Sequence, residues 1–236
     1  MENPGFPMRI NKYLALHGHS TRRGADVLIE GKQVFINGKQ AVLGDKVTET
    51  DVVEVRLKGK KKEYRYIAYN KPRGIVTHSA QDGEKEILNE VPIKGVFPIG
   101  RLDKDSHGLI ILTDDGRITD RLLGPSYKHE KEYVVKTKEK LRSSFKEKME
   151  AGVQIDDEKT APCKVHILND FTFKIILTEG KRHQIRRMCV ALFQEVLDLQ
   201  RIRIMNIKIT HLAEGDYREI KGEELQAFLH ALGLEK

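Results

Sequence analysis

The sequence predicts an α+β protein with a small N-terminal unit and a larger C-terminal unit whose mixed, largely antiparallel sheet is flanked by helices. Three observations predict this class. Residues 8–57 contain two short helical segments followed by a hairpin, whereas residues 64–236 contain mainly strand-like segments. The strands do not alternate regularly with long helices, which argues against a doubly wound parallel sheet. The lysine-rich run at residues 58–63 separates the two units and is expected to be a basic linker.

Two helices open the N-terminal unit. The apolar positions within residues 10–17 share one helical face, and this helix is expected to end at Gly18. Ser20 or Thr21 can cap the second helix, because a hydroxyl accepts from a free amide of the first turn, and Gly31 is expected to end it.

A hairpin follows these helices. Asn37-Gly38 accepts the positive φ angles of a type I′ turn between strands at residues 34–36 and 39–42, and residues 51–55 supply another strand. Two short helices bury little apolar surface by themselves, so the hairpin is expected to pack against them.

Strands dominate the larger unit. They are predicted at residues 64–69, 109–112, 133–135, 171–177 and 201–209. Helices are predicted at residues 141–149, 183–193 and 223–231.

Composition limits the function. The chain of 236 residues has 42 Lys and Arg against 35 Asp and Glu, a net charge of +7, which indicates an acidic partner such as nucleic acid. Two cysteines, no signal peptide and no apolar run of about 20 residues argue against secreted, zinc-ribbon and membrane classes, so a cytoplasmic location is expected. The chain has no glycine-rich phosphate loop and no HExxH, so neither a nucleotide cofactor nor a metal site is expected.

One polar loop and one basic segment can carry chemistry. Residues 98–113 place Asp103 and Asp105 in a glycine-flanked loop before a buried strand, although composition alone describes an ordinary turn. Residues 179–188 begin a helix with four cations, and such a helix start attracts phosphate. A third segment, residues 128–133, ends in Tyr133, which pattern alone would place in the core.

These three segments carry a family resemblance. GRLDKDSHGLIILT, then HEKEY directly before a strand, and later EGKRHQIRRM resemble, in order and spacing, the pseudouridine synthases of the RsuA/Rlu type over residues 64–236. STRRGAD and VFINGK, within residues 8–57, resemble the S4 RNA-binding domain that members often carry in front. The family usually lacks the seven residues before Met8, so Met8 is a candidate natural start.

The resemblance implies an isomerase that needs no cofactor, because uracil is detached from its ribose and reattached through carbon. Asp103 is then the catalytic acid, as nucleophile or as base, and Arg186 is its charge partner. Tyr133 stacks on the flipped uracil, and Arg101 fills the space that the base vacates. The other expected RNA contacts are Leu102, Lys104, His183, Gln184, Ile185 and Arg187 near the site, and Arg9, Lys12, Arg22, Arg23 and Lys39 in the S4 unit.

The implied substrate is a uridine in a stem-loop or bulge of ribosomal RNA, bound by a monomer. RLDKDS, HEKEYVV and RIRIMN resemble members that act on 23S rRNA, whereas TDDG resembles members that act on 16S rRNA. A non-catalytic RNA-binding assembly factor is the alternative from another class. A glycosidase that uses Asp103 with Asp105 fits the basic surroundings and scarce aromatics poorly.

Overall fold

The computed structural model describes residues 5–56 and 63–234, apart from the side chain of Pro125. The predicted basic linker, residues 58–63, lies outside these ranges except for Glu63. No helix in the described ranges is long and apolar enough to cross a membrane.

The N-terminal unit contains two helices and five short strands. In chain order its elements are β1 (Met8–Arg9), α1 (Ile10–Leu16), α2 (Arg22–Glu30), β2 (Val34–Ile36), β3 (Lys39–Gln40), β4 (Lys46–Val47) and β5 (Val53–Val55). Strand β2 lies between β3 and β5, and β1 pairs with β4.

Local chemistry explains these elements. Of the two candidate caps of α2, Thr21 is the one that acts, because its hydroxyl accepts from the Gly24 amide at 2.9 Å. Asn37 and Gly38 have φ angles of 51° and 78°, as the predicted type I′ turn requires. The helices and strands share one core, whose buried members are Met8, Ile10, Leu14, Ala25, Ile29, Val34, Ala41 and Val47.

The C-terminal unit has thirteen further strands and five helices among the described residues. They are β6 (Tyr66–Lys71), β7 (Ile75–Val76), β8 (Lys85–Glu86), α3 (Ile87–Glu90), β9 (Phe97–Ile99), β10 (His107–Thr113), α4 (Ile118–Leu123), β11 (Lys131–Thr137), α5 (Phe145–Glu150), β12 (Gln154–Ile155), β13 (Glu158–Lys159), β14 (Lys164–Asn169), β15 (Thr172–Leu177), α6 (Gln184–Ala191), β16 (Val196–Ile204), β17 (Ile207–Lys208), β18 (Tyr217–Glu219) and α7 (Gly222–Ala231). A single 3-10 turn covers Pro125–Tyr127.

A mixed sheet of nine strands organises this unit. Its order is β14-β15-β11-β16-β10-β6-β18, with β17 beside β16 and β9 beside β10. Among the strands that the structure describes, β10 and β16 form the parallel pair of this sheet, and its other pairings are antiparallel. The predicted α+β class is therefore confirmed.

Two predicted elements differ from those observed. The strand expected at residues 201–209 is β16 and β17 joined by a turn at Met205, whose φ angle of 52° reverses the chain. The helix expected from Leu141 begins at Phe145, because the Leu141 amide donates to the Asp170 carbonyl at 2.7 Å and stays outside the helical ladder.

Two arginines of the C-terminal unit bind the end of α1. Arg121 Nη2 donates to the Leu16 carbonyl at 2.9 Å, and Arg117 Nη1 lies 3.4 Å from the Gly18 carbonyl. Cations are favourable at the carbonyl end of a helix, so these contacts tie the N-terminal unit to the region around α4.

Candidate active site

The loop at residues 100–106 joins β9 to β10, and main-chain contacts fix it. The Thr77 hydroxyl donates to the Leu102 carbonyl at 2.8 Å and accepts from the Leu102 amide at 3.0 Å. The Gly74 amide donates to the Lys104 carbonyl at 2.9 Å. The residues on both sides of Asp103 are therefore held by the segment that follows β6.

The Asp103 side chain faces the start of α6. Its Oδ2 atom lies 3.4 Å from Nδ1 of His183, and its carboxylate is 37% exposed, so solvent and a substrate can reach it. His183 precedes α6 with a φ angle of 50°, a left-handed conformation that is uncommon for a non-glycine residue. Such conformations persist where surrounding contacts enforce them, often at functional sites.

Arg186 lies beside the same loop, but it does not form the predicted ion pair with Asp103. Its Nη2 donates to the Asp105 carbonyl at 3.3 Å and lies 3.5 Å from the Ser106 hydroxyl, while Nη1 donates to the Val196 carbonyl at 3.2 Å. These acceptors occupy the guanidinium. Among the described residues, the basic side chain in contact with the Asp103 carboxylate is His183. Arg186 therefore clamps the end of the loop to β16.

The pairing of four neighbouring strands places Tyr133, Arg201 and Lys71 beside Gly108, in one row that crosses the sheet. Tyr133 of β11 is paired with Arg201 of β16, Arg201 with Gly108 of β10, and Gly108 with Lys71 of β6. Directly paired residues of neighbouring strands project to the same face of a sheet. Gly108 is required in this row, because a Cβ there would lie 2.3 Å from the Arg201 carbonyl oxygen.

Lys71 is a fully buried cation close to the Asp103 loop. Its Nζ donates to the carbonyls of Pro72 at 2.8 Å and Ile75 at 2.6 Å. Burial lowers the pKa of Lys71 to about 8, although the charges of Asp103 and Asp105 act in the opposite direction. The Lys71 ammonium contributes positive potential at the Asp103 carboxylate.

Arg201 supports the Asp103 loop from the neighbouring strand β16. Its Nε donates to the Leu109 carbonyl at 2.7 Å, and Nη1 lies 3.4 Å from the Arg101 carbonyl. The side chain is buried, and Nη2 has no partner among the described residues. A buried guanidinium needs acceptors, and the carbonyl of Arg101, two residues before Asp103, is one of them.

The remaining predicted site residues fall into three groups. Arg101, Lys104 and His183 are exposed around Asp103, although Lys104 pairs with Glu84 at 2.9 Å. Arg187 is bound to Asp156 in the turn between β12 and β13. The side chains of Leu102, Gln184 and Ile185 are buried, so their predicted direct contact with RNA is corrected to a supporting role in the loop and in α6.

Gln184 shows how this support works. Its Nε2 donates to Glu179 at 2.5 Å, and its Oε1 accepts from the Lys181 amide at 2.9 Å. The amide thereby closes the turn that leads into α6 and sets the position of His183.

The basic residues predicted in the S4 unit are exposed or half-buried. Arg9, Lys12 and Arg22 line one shallow concavity between β1 and the start of α2, together with Asn11. Arg23 and Lys39 are exposed outside that concavity. Three of the five predicted contacts are thus brought together on one surface.

The surroundings of the two cysteine thiols fit a packing role. Burial raises the pKa values of the Cys163 and Cys189 thiols to about 12, which keeps both thiols protonated at neutral pH. Within residues 5–56 and 63–234, no group of three or more His, Cys, Asp or Glu side chains is placed to hold a metal ion.

Sequence reasoning missed Thr77, Lys71 and Arg201. A lysine at the end of a wholly buried strand was a usable signal for Lys71, since lysine is almost never fully buried without a partner. Neither Thr77 nor Arg201 had a comparable signal, because their partners are main-chain carbonyls distant in sequence.

The arrangement provides a fixed, accessible carboxylate with cations on several sides and an aromatic residue in the adjoining row. A carboxylate of this kind can act on a sugar carbon or a sugar proton, and an aromatic face can hold a planar base.

Comparison with known proteins agrees with this chemistry. Residues 65–191 match the RNA pseudouridylate synthase family, and residues 8–53 match the S4 domain. Dual-specificity RNA pseudouridine synthase RluF of Escherichia coli (strain K12) is 42% identical over 230 residues, which cover 94% of this chain and 78% of that protein. Ribosomal large subunit pseudouridine synthase B of Bacillus subtilis (strain 168) is 34% identical, with coverage of 92% and 94%.

A small-subunit enzyme and a solved structure are also similar. Ribosomal small subunit pseudouridine synthase A of Pasteurella multocida (strain Pm70) is 34% identical, with coverage of 94% of this chain and 99% of that protein. A crystal structure of a pseudouridylate synthase superimposes with a TM-score of 0.69 at 29% identity, covering 95% of this chain and 99% of that one. The chain belongs to the RNA pseudouridine synthase family and is a pseudouridine synthase with an N-terminal S4 RNA-binding domain.

Proposed function

We propose that this enzyme converts a uridine of ribosomal RNA to pseudouridine, with 23S rRNA as its main substrate. The likeness to the large-subunit enzyme of Bacillus subtilis supports this choice, as do the motifs RLDKDS, HEKEYVV and RIRIMN. The observation that carries the proposal is the accessible Asp103 carboxylate on a loop fixed at Leu102 and Lys104.

Each side chain of the site has one role in this proposal. Asp103 acts on the ribose, as nucleophile at C1′ or as base at a sugar proton. Tyr133 stacks on the flipped uracil, and the exposed Arg101 fills the gap left in the RNA. Arg186 holds the Asp105 carbonyl, so the loop keeps its shape as the base turns.

The reaction needs no external reactant. The bond between N1 of uracil and C1′ breaks, the base turns while it is held in the site, and a bond between C5 and C1′ forms. The proton at C5 is lost and N1 gains one, so product and substrate have the same composition. The free base has to stay bound beside Asp103 between the two steps, so that reattachment is intramolecular.

The S4 unit adds affinity at a distance from the chemistry. Arg9, Lys12 and Arg22 line one concavity and can contact consecutive phosphates of a stem-loop or bulge. We propose that Arg23 and Lys39 extend this contact, and that the enzyme acts as a monomer in the cytoplasm.

Pseudouridine mapping tests the substrate. Full-length enzyme is incubated with unmodified transcripts of 23S rRNA, 16S rRNA and a tRNA pool, and pseudouridine is located by carbodiimide labelling and primer extension. A single modified site in 23S rRNA that is also absent from cells lacking the gene would support the proposal. Modification confined to 16S rRNA, as the likeness to the Pasteurella enzyme would allow, would replace it. The tRNA pool is included because the Escherichia coli relative has dual specificity.

A further inference from the structure

The C-terminal end of α6 presents an exposed aromatic ring at a backbone position that favours glycine. The Phe193 amide donates to the Val190 carbonyl at 2.9 Å, and the Gln194 amide donates to the Cys189 carbonyl at 2.9 Å. These two bonds define a Schellman motif, in which Phe193 is the left-handed residue with a φ angle of 61°. Its side chain is nevertheless 74% exposed, so core packing does not explain a phenylalanine at this position.

Phe193 ends a stripe of side chains that begins at the active site. Arg186 and Val190 are four residues apart on one side of α6, and Phe193 lies just beyond the C-terminal end of the same helix. Val190 is 66% exposed, and Arg186 contacts the Asp103 loop through the Asp105 carbonyl. From Arg186 to Ala191, the last residue of α6, the helix rises about 8 Å, and Phe193 follows two residues later. A strand of RNA whose target nucleotide lies at Asp103 can therefore pass over this stripe.

One cation lies beside the Phe193 ring. The guanidinium of Arg142 lies 5.5 Å from the centre of the Phe193 ring. Lys138 and Lys140 belong to the neighbouring segment, which is bound to residues 194–195 through the Lys138 amide and the Lys140 carbonyl. Three carboxylates share this region. Lys138 pairs with Glu195 and Lys140 with Asp170, while Glu139 accepts from the Glu195 amide at 2.8 Å, and Arg142 is the cation that lies beside the ring.

We propose that Phe193 and Arg142 form a stacking platform for an unpaired nucleotide that flanks the target uridine. The ring offers a π-face to a base, and the guanidinium can contact either the base or the adjacent phosphate. Three side chains in a narrow stripe are too small a patch for a stable protein interface, which buries about 800 Å² on each partner. The inference rests on the proposed function, because it concerns the same RNA.

Fluorescence from a base analogue tests the platform directly. The RNA fragment that contains the mapped uridine is made with 2-aminopurine at one of the three nucleotides on either side, and each version is titrated with full-length enzyme. Stacking on Phe193 should quench one flanking position in the wild type. Phe193→Gly should remove that quenching, and Phe193→Tyr should restore it. Glycine suits the left-handed position, so the first variant is expected to fold.

Kinetics and a matched control complete the test. Loss of one stacked base should weaken RNA binding roughly 5- to 100-fold and raise KM by a similar factor, while kcat stays unchanged. Arg142→Gln should give a smaller loss in affinity and a smaller salt dependence. Tyr217→Ala is the control, since it removes an exposed aromatic from β18 at the far edge of the sheet and should change neither quantity.

Two results would overturn the inference. One is a Phe193→Gly variant that binds the RNA and quenches the base analogue as strongly as the wild type does, when the wild-type enzyme is active. The other is a wild-type dimer in sedimentation velocity that Phe193→Gly converts to a monomer, since the stripe would then be a contact between two copies of the chain. A wild type that modifies no RNA would instead refute the proposed function.

Discussion

His183 and Asp103 contact each other across the active site, with Nδ1 of the imidazole 3.4 Å from Oδ2 of the carboxylate. The two residues come from different elements, since Asp103 lies in the loop before β10 and His183 directly precedes α6. Because His183 is held in a left-handed conformation, the start of α6 is aimed at the carboxylate by the backbone. The Asp103 loop and the start of α6 are therefore one structural unit.

Replacing Asp103 by Asn should abolish isomerisation and leave RNA binding nearly intact. An amide keeps the size of the carboxylate and loses its basicity and nucleophilicity, so the rate should fall roughly 10²- to 10⁴-fold or more. The measurement is pseudouridine formation on a saturating rRNA fragment, with affinity measured in parallel.

Asp105→Asn is the control for that experiment. Arg186 binds the main-chain carbonyl of Asp105, which the substitution retains, so its effect should be mild. Substantial turnover by the Asp103 variant would contradict the catalytic assignment.

Arg186→Ala should lower kcat by about tenfold or more. The change removes donors to the carbonyls of Asp105 and Val196 and so frees the end of the loop. Arg186→Lys should recover only part of the rate, because an ammonium lacks the planar fork that spans both carbonyls. Single-turnover kinetics on a saturating fragment separate this loss from weaker binding.

Arg187→Ala provides the comparison on the same helix. Arg187 points to Asp156, away from the loop, so its removal should affect RNA affinity more than the rate. A larger loss of kcat in Arg187→Ala than in Arg186→Ala would show that the clamp is assigned to the wrong arginine.

Local signals in the sequence predicted the elements that depend on neighbouring residues. The Thr21 cap and the Asn37-Gly38 turn are examples, because each depends on a few consecutive residues. The Asp103 loop was found through its motif, whose meaning came from a family resemblance and not from composition.

Contacts between distant segments could not be predicted in the same way. The row of Tyr133, Arg201 and Lys71 depends on the register of four strands, and this register is set by the packed sheet. The expected pairing of Arg186 with Asp103 was wrong. The spacing of residues along a helix predicts the direction of a side chain, but it does not predict which acceptor atoms lie in that direction. The burial of Gln184 was missed for a different reason, since its partner Glu179 is only five residues away, and a glutamine is by residue type expected to be exposed.

Alanine at Arg9 and Lys12 should reduce the salt dependence of RNA binding. Each lost phosphate contact should lower the slope of log affinity against log salt by about 0.7 on a single strand, so the double variant should lose up to about 1.4. Titrations at several salt concentrations measure the slope. The double variant Lys146→Ala and Lys148→Ala on α5 has the same charge change, and an equal effect there would mean that the S4 concavity has no special role.

Lys71 should make stability depend on pH in the alkaline range. Its pKa is about 8 in the folded chain against an ordinary value of 10.5, so the unfolded chain binds more protons between these two values. Stability of the wild type relative to Lys71→Met should therefore rise as the pH increases from 8 to 10.5, by at most about 3 kcal/mol.

Urea unfolding of both proteins across that pH range measures this difference. Lys138→Met is the control, because the hydrogen bond that its ammonium donates to Glu195 raises the pKa of this exposed lysine, so its effect is expected above 10.5. A constant difference between wild type and Lys71→Met would indicate that Lys71 is not a desolvated cation.

The left-handed position of Phe193 should be detectable as a cost in stability. A non-glycine residue with a φ angle of 61° is destabilised relative to glycine by about 1–2 kcal/mol. Phe193→Ala removes the ring and its contact with Arg142 but keeps the strained backbone, whereas Phe193→Gly removes both. The glycine variant should therefore be more stable than the alanine variant by about 1 kcal/mol, which corresponds to a Tm about 2–4 °C higher for a chain of this size.

At Val190, inside α6, the order should reverse, because glycine costs about 1 kcal/mol relative to alanine within a helix. Thermal unfolding of the four variants measures both differences. The same order of stability at the two positions would show that the backbone of Phe193 is not strained. The argument that phenylalanine is kept there for an exposed role, at a cost in stability, would then fail.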